Sequence, residues 1–180
     1  MRNQGVSGLS AENRKRATQR CPCGYWGDSR CTCTPGEIQR YAGRVSGPLL
    51  DRIDIHIEVP RVGFGELSGV APGEASSAVR ERVQRARMLQ QQRFEPVPGV
   101  FTNARMESRE LRRFAAPDED GRRLLRAAME KLGLSARAHD RILRVARTIA
   151  DLEASYHVQA SHLAEAIQYR SLDRPRWREG

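Results

Sequence analysis

The chain has 180 residues, with 31 Lys and Arg against 22 Asp and Glu, a formal net charge of +9, and is long enough for one moderate core with extensions. No apolar run approaches the roughly 18 residues of a membrane-spanning helix, and residues 1–20 hold an early arginine without the apolar stretch of a secretory signal, so membrane partners are excluded and a cytoplasmic protein is the expectation. The arginine excess favours polyanions, DNA among them, through phosphate contact and counterion release, although arginines interspersed with glutamates are also what a solvated helix face carries.

Residues 1–20 are polar, lack a periodic apolar stripe, and are expected to form a flexible arm. Cys21, Cys23, Cys31 and Cys33 follow as two C-x-C pairs around a short loop with Gly24, Gly27 and Asp28. Four soft ligands on loose turns suit a tetrahedral zinc site. C-x-C is tighter than the usual C-x-x-C, and in a reducing compartment a set of reduced thiols is the equal alternative. A short helix begins near Thr34, with Ile38 and Tyr41 on one face.

The segment Ser46-Gly47-Pro48-Leu49-Leu50-Asp51-Arg52-Ile53-Asp54 then places an arginine just before an alternating run. Ile53, Ile55, Ile57 and Val59 alternate with Asp54, His56 and Glu58 up to Pro60, the period of a half-buried strand. A guanidinium on such a base does not deprotonate and binds phosphate oxygens bidentately. The plainer reading is an Arg52 paired with Asp51 or Asp54 in a surface loop. From Gly63 to Gly73 the chain reads as a loop.

The remainder is helical in pattern. One helix is expected from Glu74 or Ala75 to Gln92 with Val79, Val83 and Ala86 on its stripe, and a short one from Ser108 to Phe114. Pro117 with Asp118, Glu119 and Asp120 opens the next, which carries Leu124, Leu125 and Ala128 and closes at Gly133. Ser135 caps a long helix striped with Ala138, Ile142, Val145, Ile149 and Leu152. A last helix carries Leu163, Ala164 and Ile167. His139, His157 and His162 show no carboxylate partner in the sequence and read as surface or boundary residues. The strand conflicts with this plan, because one strand cannot satisfy its backbone alone. Either its partners lie in another polypeptide or it folds against the helices as an irregular edge.

These residues resemble the magnesium-chelatase-like AAA+ ATPases, and within them the ComM/YifB subgroup. Four segments carry the resemblance: Cys21-Pro22-Cys23-Gly24-Tyr25, the SGPLLDRID stretch, Leu134-Ser135-Ala136-Arg137-Ala138 with Arg141-Ile142-Leu143, and His162 to Arg170. It runs from about Cys21 to Arg174, in the order expected of the C-terminal portion of such a protein. It implies that Arg52 is an arginine finger reaching the γ-phosphate held by a neighbouring subunit. It also implies that Arg137 is a sensor arginine to ATP phosphate, a role consistent with its place in a helix first turn, where the helix dipole opposes a positive charge.

The fold expected is mainly α: a helical lid bundle over residues 63–174, preceded by a Cys-rich loop and a single strand left over from an AAA+ α/β core in residues 21–62, with residues 175–180 as a tail. Neither a G-x-x-x-x-G-K-S/T loop around Lys15 or Lys131 nor a strand ending in Asp-Glu is present. The expectation is therefore a C-terminal fragment or truncated paralogue that does not hydrolyse ATP alone. ATP and Mg2+ would enter only with a complete assembly, the AAA+ core of a full-length relative or a homo-oligomeric ring acting on DNA. The rival readings are a small basic zinc-stabilised nucleic-acid-binding module and a gene remnant without independent function.

Overall fold

A computed structural model describes residues 21–57 and 73–170, and the chain divides into two compact units between Arg52 and Ile53. The expected arm 1–20, the boundary at 62/63 and the tail 175–180 lie outside the described residues.

In the first unit the Cys-rich loop leads into α1, Pro35–Ala42. Thr34 opens it with a reciprocal capping box: its hydroxyl accepts the Glu37 N–H (3.3 Å) and the Glu37 carboxylate accepts the Thr34 N–H (2.8 Å). Tyr41 is buried, as the stripe predicts. One helical turn follows, α2, Gly47–Leu50, which begins on the Ser46 hydroxyl accepting from Leu49 N–H and buries Leu50.

The Thr34 backbone N–H, and then its hydroxyl, hold the Glu37 carboxyl below its ordinary 4.5. A carboxylate whose pKa is lower folded than unfolded contributes fully above the unfolded value, and the contribution is lost as pH falls through the folded one. Amide exchange at Ile38 and Tyr41 is therefore expected to accelerate below pH 4.5. In Glu37→Gln, which keeps the shape of the box, this acid dependence should flatten. Identical acid profiles in the two proteins would contradict the capping role.

The second unit is a helical bundle, as expected, built from α3 (Ser76–Phe94), a 3-10 turn (Asn103–Arg105), α4 (Ser108–Phe114), α5 (Glu119–Leu132), α6 (Ala136–Leu152) and α7 (Ala160–Gln168). α6 is its centre: α3, the 3-10 turn, α4 and α7 all pack on it, and α5 packs on α7. It begins where Ser135 Oγ accepts the Ala138 N–H (3.1 Å). Its fully buried Ala146 and Ala150, beside Ile142, leave room for neighbouring helices to approach from several sides. Leu125, Met106, Leu163 and an edge-to-face pair of Phe94 and Phe114 complete the core. α5 starts on Asp118, whose carboxylate accepts the Gly121 N–H (2.7 Å), and ends at Gly133 in the left-handed region, φ 61°.

α5 and α7 approach each other at Gly121. A Cβ there would stand 2.7 Å from Leu163 Cδ1, 2.9 Å from the capping Asp118 Oδ1 and 2.9 Å from Pro117 Cβ. Leu163 is fully buried in the core. Gly121→Ala is expected to cost about 1–3 kcal/mol by overpacking, against the small gain in helix propensity that the same change gives on an open face. Chemical denaturation measures the difference, and a stabilised variant would refute the close approach.

Three sequence expectations need correction. Of the stripe expected on α3, Ala86 is buried but Val79 and Val83 are exposed, and Phe94 at the helix end is buried beside it, because an apolar stripe marks a face without saying how far its neighbour extends. His162 is buried and does have carboxylate company: Nδ1 accepts the Gln159 N–H (2.9 Å) at the start of α7 while Nε2 faces Glu153 (3.0 Å). Finally, the described part of the expected strand, residues 53–57, joins no sheet. The only bridge among the described residues is an isolated one between Pro117 and Val158. Residues 53–57 lie as an irregular edge on the bundle: His56 N–H donates to Tyr169 O (2.7 Å), Arg170 donates to Ile53 O, and Asp54 pairs with Arg141 of α6. The segment thus buries its polar side, His56, while Ile53, Ile55 and Ile57 stay 40%, 45% and 67% exposed. The alternation is present, but no sheet is there to receive its apolar face.

Candidate functional site

The four cysteines converge. Between them the chain makes tight turns, with Gly24 and Gly27 both at φ 78° and backbone bonds from Gly24 N–H to Cys21 O, Asp28 N–H to Tyr25 O and Cys31 N–H to Asp28 O. Asp28 in turn accepts from the Arg30 backbone (2.9 Å) and its guanidinium (3.0 and 2.8 Å), which fastens the loop tip. Cys21 Sγ lies 3.3 Å from Cys23 and 3.9 Å from Cys31, Cys23 and Cys31 are 3.7 Å apart, and all four sulfurs fall within 4.8 Å of one another. All are reduced. The Tyr25 N–H donates to Cys23 Sγ (3.4 Å) and is the main reason that thiol is lowered to about 6. Cys33 accepts a backbone N–H from Cys23, yet crowding by the Cys23 sulfur, burial and Cys21 outweigh it and push it up to about 12.

Arg52 stands in the first unit just beyond α2, where its N–H donates to Leu49 O (3.0 Å) and its side chain is exposed. The tight turn of Ser46 to Leu50, with Pro48 inside it and Leu50 buried beneath, gives that arginine a short, well-supported base. Arg137 is the second residue of α6 in the other unit and is also exposed. The bundle has in addition a cleft of about 470 Å³ between α4, α5 and α6. Leu111, Leu125 and Leu143 line its apolar floor, and Arg112, Arg122 and Arg126 stand around it with His139 and Asp140. Of these, Arg122 is engaged with Glu119 and with Pro117 O. Sequence reasoning did not find this cleft, because its arginines look like any solvated helix face until α4 and α6 close over the spaces between them.

Comparison with known proteins accounts for both units. The family model described as magnesium chelatase, subunit ChlI, matches residues 15–67, and that described as magnesium chelatase, subunit ChlI C-terminal, matches residues 73–170. The chain is 41% identical over 154 residues to the YifB proteins of Salmonella typhimurium and Escherichia coli, and 40% identical over 154 residues to the competence protein ComM of Haemophilus influenzae. In each case the alignment takes in 85% of this chain and 29% of the relative, so the chain spans less than a third of the length of the curated relatives it matches. None of its described helices is long and apolar enough to cross a membrane.

Proposed function

Because the chain belongs to the magnesium chelatase ChlI family and is similar to the C-terminal portion of its YifB and ComM members, we propose that it supplies the arginine finger and helical lid of an ATP-driven, DNA-acting assembly. The observation that carries this reading is Arg52, exposed at the end of the supported α2 turn inside the matched segment. In the assembly its guanidinium would enter the nucleotide site of a neighbouring subunit and offset charge developing on the transferred γ-phosphoryl group. Arg137 would contact phosphate from the lid side. ATP and Mg2+ would be held by the nucleotide-binding portion, which the longer relatives have room for upstream. The exposed isoleucine face at residues 53–57 supports such a partner, since it is apolar surface that a neighbouring segment would cover. The name of the Haemophilus influenzae relative, a competence protein, and the net charge of +9 favour DNA as the polymer acted on.

A chimera tests the proposal: this chain replaces the matching portion of Escherichia coli YifB, and ATP hydrolysis is compared with that of YifB truncated before it. Hydrolysis restored by the chimera and lost again in its Arg52→Ala form is expected. A chimera that assembles and binds ATP, yet turns over equally with either residue, would overturn it.

The arginines around the α4–α5–α6 cleft favour a second reading, a nucleic-acid-binding module that needs no nucleotide. It predicts DNA binding by the chain alone that weakens steeply with salt and is unchanged by Arg52→Ala.

A further inference from the structure

We propose that Cys21, Cys23, Cys31 and Cys33 bind one zinc ion as a closed tetrathiolate site that staples the first unit together. The geometry is the first argument. Four sulfurs at about 2.3 Å from a central zinc define a tetrahedron with edges of about 3.8 Å, and the close pairs here measure 3.3, 3.7 and 3.9 Å. A disulfide would need about 2.05 Å, so none of these contacts is an incipient bond. The turn closed by Gly24 N–H donating to Cys21 O (3.2 Å) folds the first pair back so that the Cys21 and Cys23 sulfurs stand 3.3 Å apart.

The surroundings are those of a ligand loop. Glycines at φ 78° turn the chain between the pairs, and the Tyr25 N–H donates to Cys23 Sγ at 3.4 Å, the kind of second contact that orients a metal-bound thiolate. Four protein ligands leave no open position for water or substrate, which makes the site structural, not catalytic.

A metal would add to the few buried contacts of the described part of this unit. Its buried apolar side chains among the described residues are Cys21, Tyr41 and Leu50, and assemblies with so small a core are usually held by disulfides or metal. No disulfide joins the four cysteines here, and metal is the alternative their geometry fits. Zinc would tie the start of the unit to the residues that lead into the Thr34 cap and α1, and so support the stretch that ends at Arg52. The inference stands or falls separately from ATP hydrolysis, because its readouts are metal content and spectra.

The full chain, purified without chelator, is expected to carry about one zinc per chain by elemental analysis. Replacement by cobalt should give the intense visible bands of a tetrahedral ion together with thiolate-to-metal charge transfer. The double variant Cys31→Ser/Cys33→Ser should lose the metal while the helical signal of the second unit remains, and chelation should speed amide exchange in α1. A wild-type chain that is metal-free and equally protected in α1, an iron-loaded chain, or cobalt spectra without four-sulfur character would each overturn the proposal. The wild-type spectra decide the matter even if the variant fails to fold.

Discussion

Asp151→Ala is expected to destabilise the helical unit by about 3–5 kcal/mol, the range for breaking a buried ion pair from one side. Asp151 is 1% exposed and sits where α3, the 3-10 turn and α6 meet. Its carboxylate accepts from both terminal nitrogens of Arg93, from Nε (3.1 Å) and Nη2 (2.9 Å) of Arg147, and from Asn103 Nδ2 (2.8 Å). Arg147, itself 2% exposed, has its pKa lowered chiefly by burial, and the Asp151 charge works against that loss. The same guanidinium donates to Tyr156 O (2.8 Å) and Ser155 O (2.6 Å), which fastens the connection from α6 to α7.

Removing the carboxylate leaves Arg147 buried without its counter-charge and Arg93 without its bidentate partner. The fitting control is Arg82→Ala, which breaks the exposed pair with Glu74 (2.7 Å) and should change stability by no more than about 0.5 kcal/mol. Urea unfolding followed by circular dichroism reads both. If Asp151→Ala cost no more than the control, the network would not be the keystone of the bundle.

Arg52→Ala in the YifB chimera should lower kcat by about 10³–10⁵-fold, the effect typical of an arginine finger, while nucleotide affinity changes little. A residue that acts only on charge developing in the transition state has no reason to alter ground-state binding. Arg52→Lys should recover only a small part, because an ammonium keeps the charge but not the planar fork that meets two oxygens at once. Action across a subunit boundary has its own signature. Chimeras with Arg52→Ala, mixed with subunits whose metal-binding carboxylate is removed, should regain some hydrolysis, since each supplies what the other lacks. A mixture as inactive as its two parts would place the arginine's role within a single subunit.

Much of this protein is written locally. The Thr34, Asp118 and Ser135 caps, the Gly133 stop and the stripe of α6 all stand where propensity, capping and period put them, because each depends on residues a few positions apart. The four cysteines are equally legible, since two C-x-C pairs and an intervening turn lie within one short loop. The Arg147–Asp151 pair is an i, i+4 helical spacing, but spacing says neither that the pair is buried nor that Arg93, 58 residues from Asp151, completes it.

The same limit explains residues 53–57. Alternation identified two faces, and the apolar one was the natural candidate for burial. Burial, however, is a property of what packs on a face: α6 and the end of α7 offered polar partners in Arg141, Tyr169 and Arg170, and the isoleucines were left outside. Local order follows from short-range sterics and hydrogen bonding, which short stretches of sequence contain. Which polar groups meet in the interior, which apolar edge stays exposed and where a cleft opens depend on contacts between distant segments, and these exist only once the helices have packed.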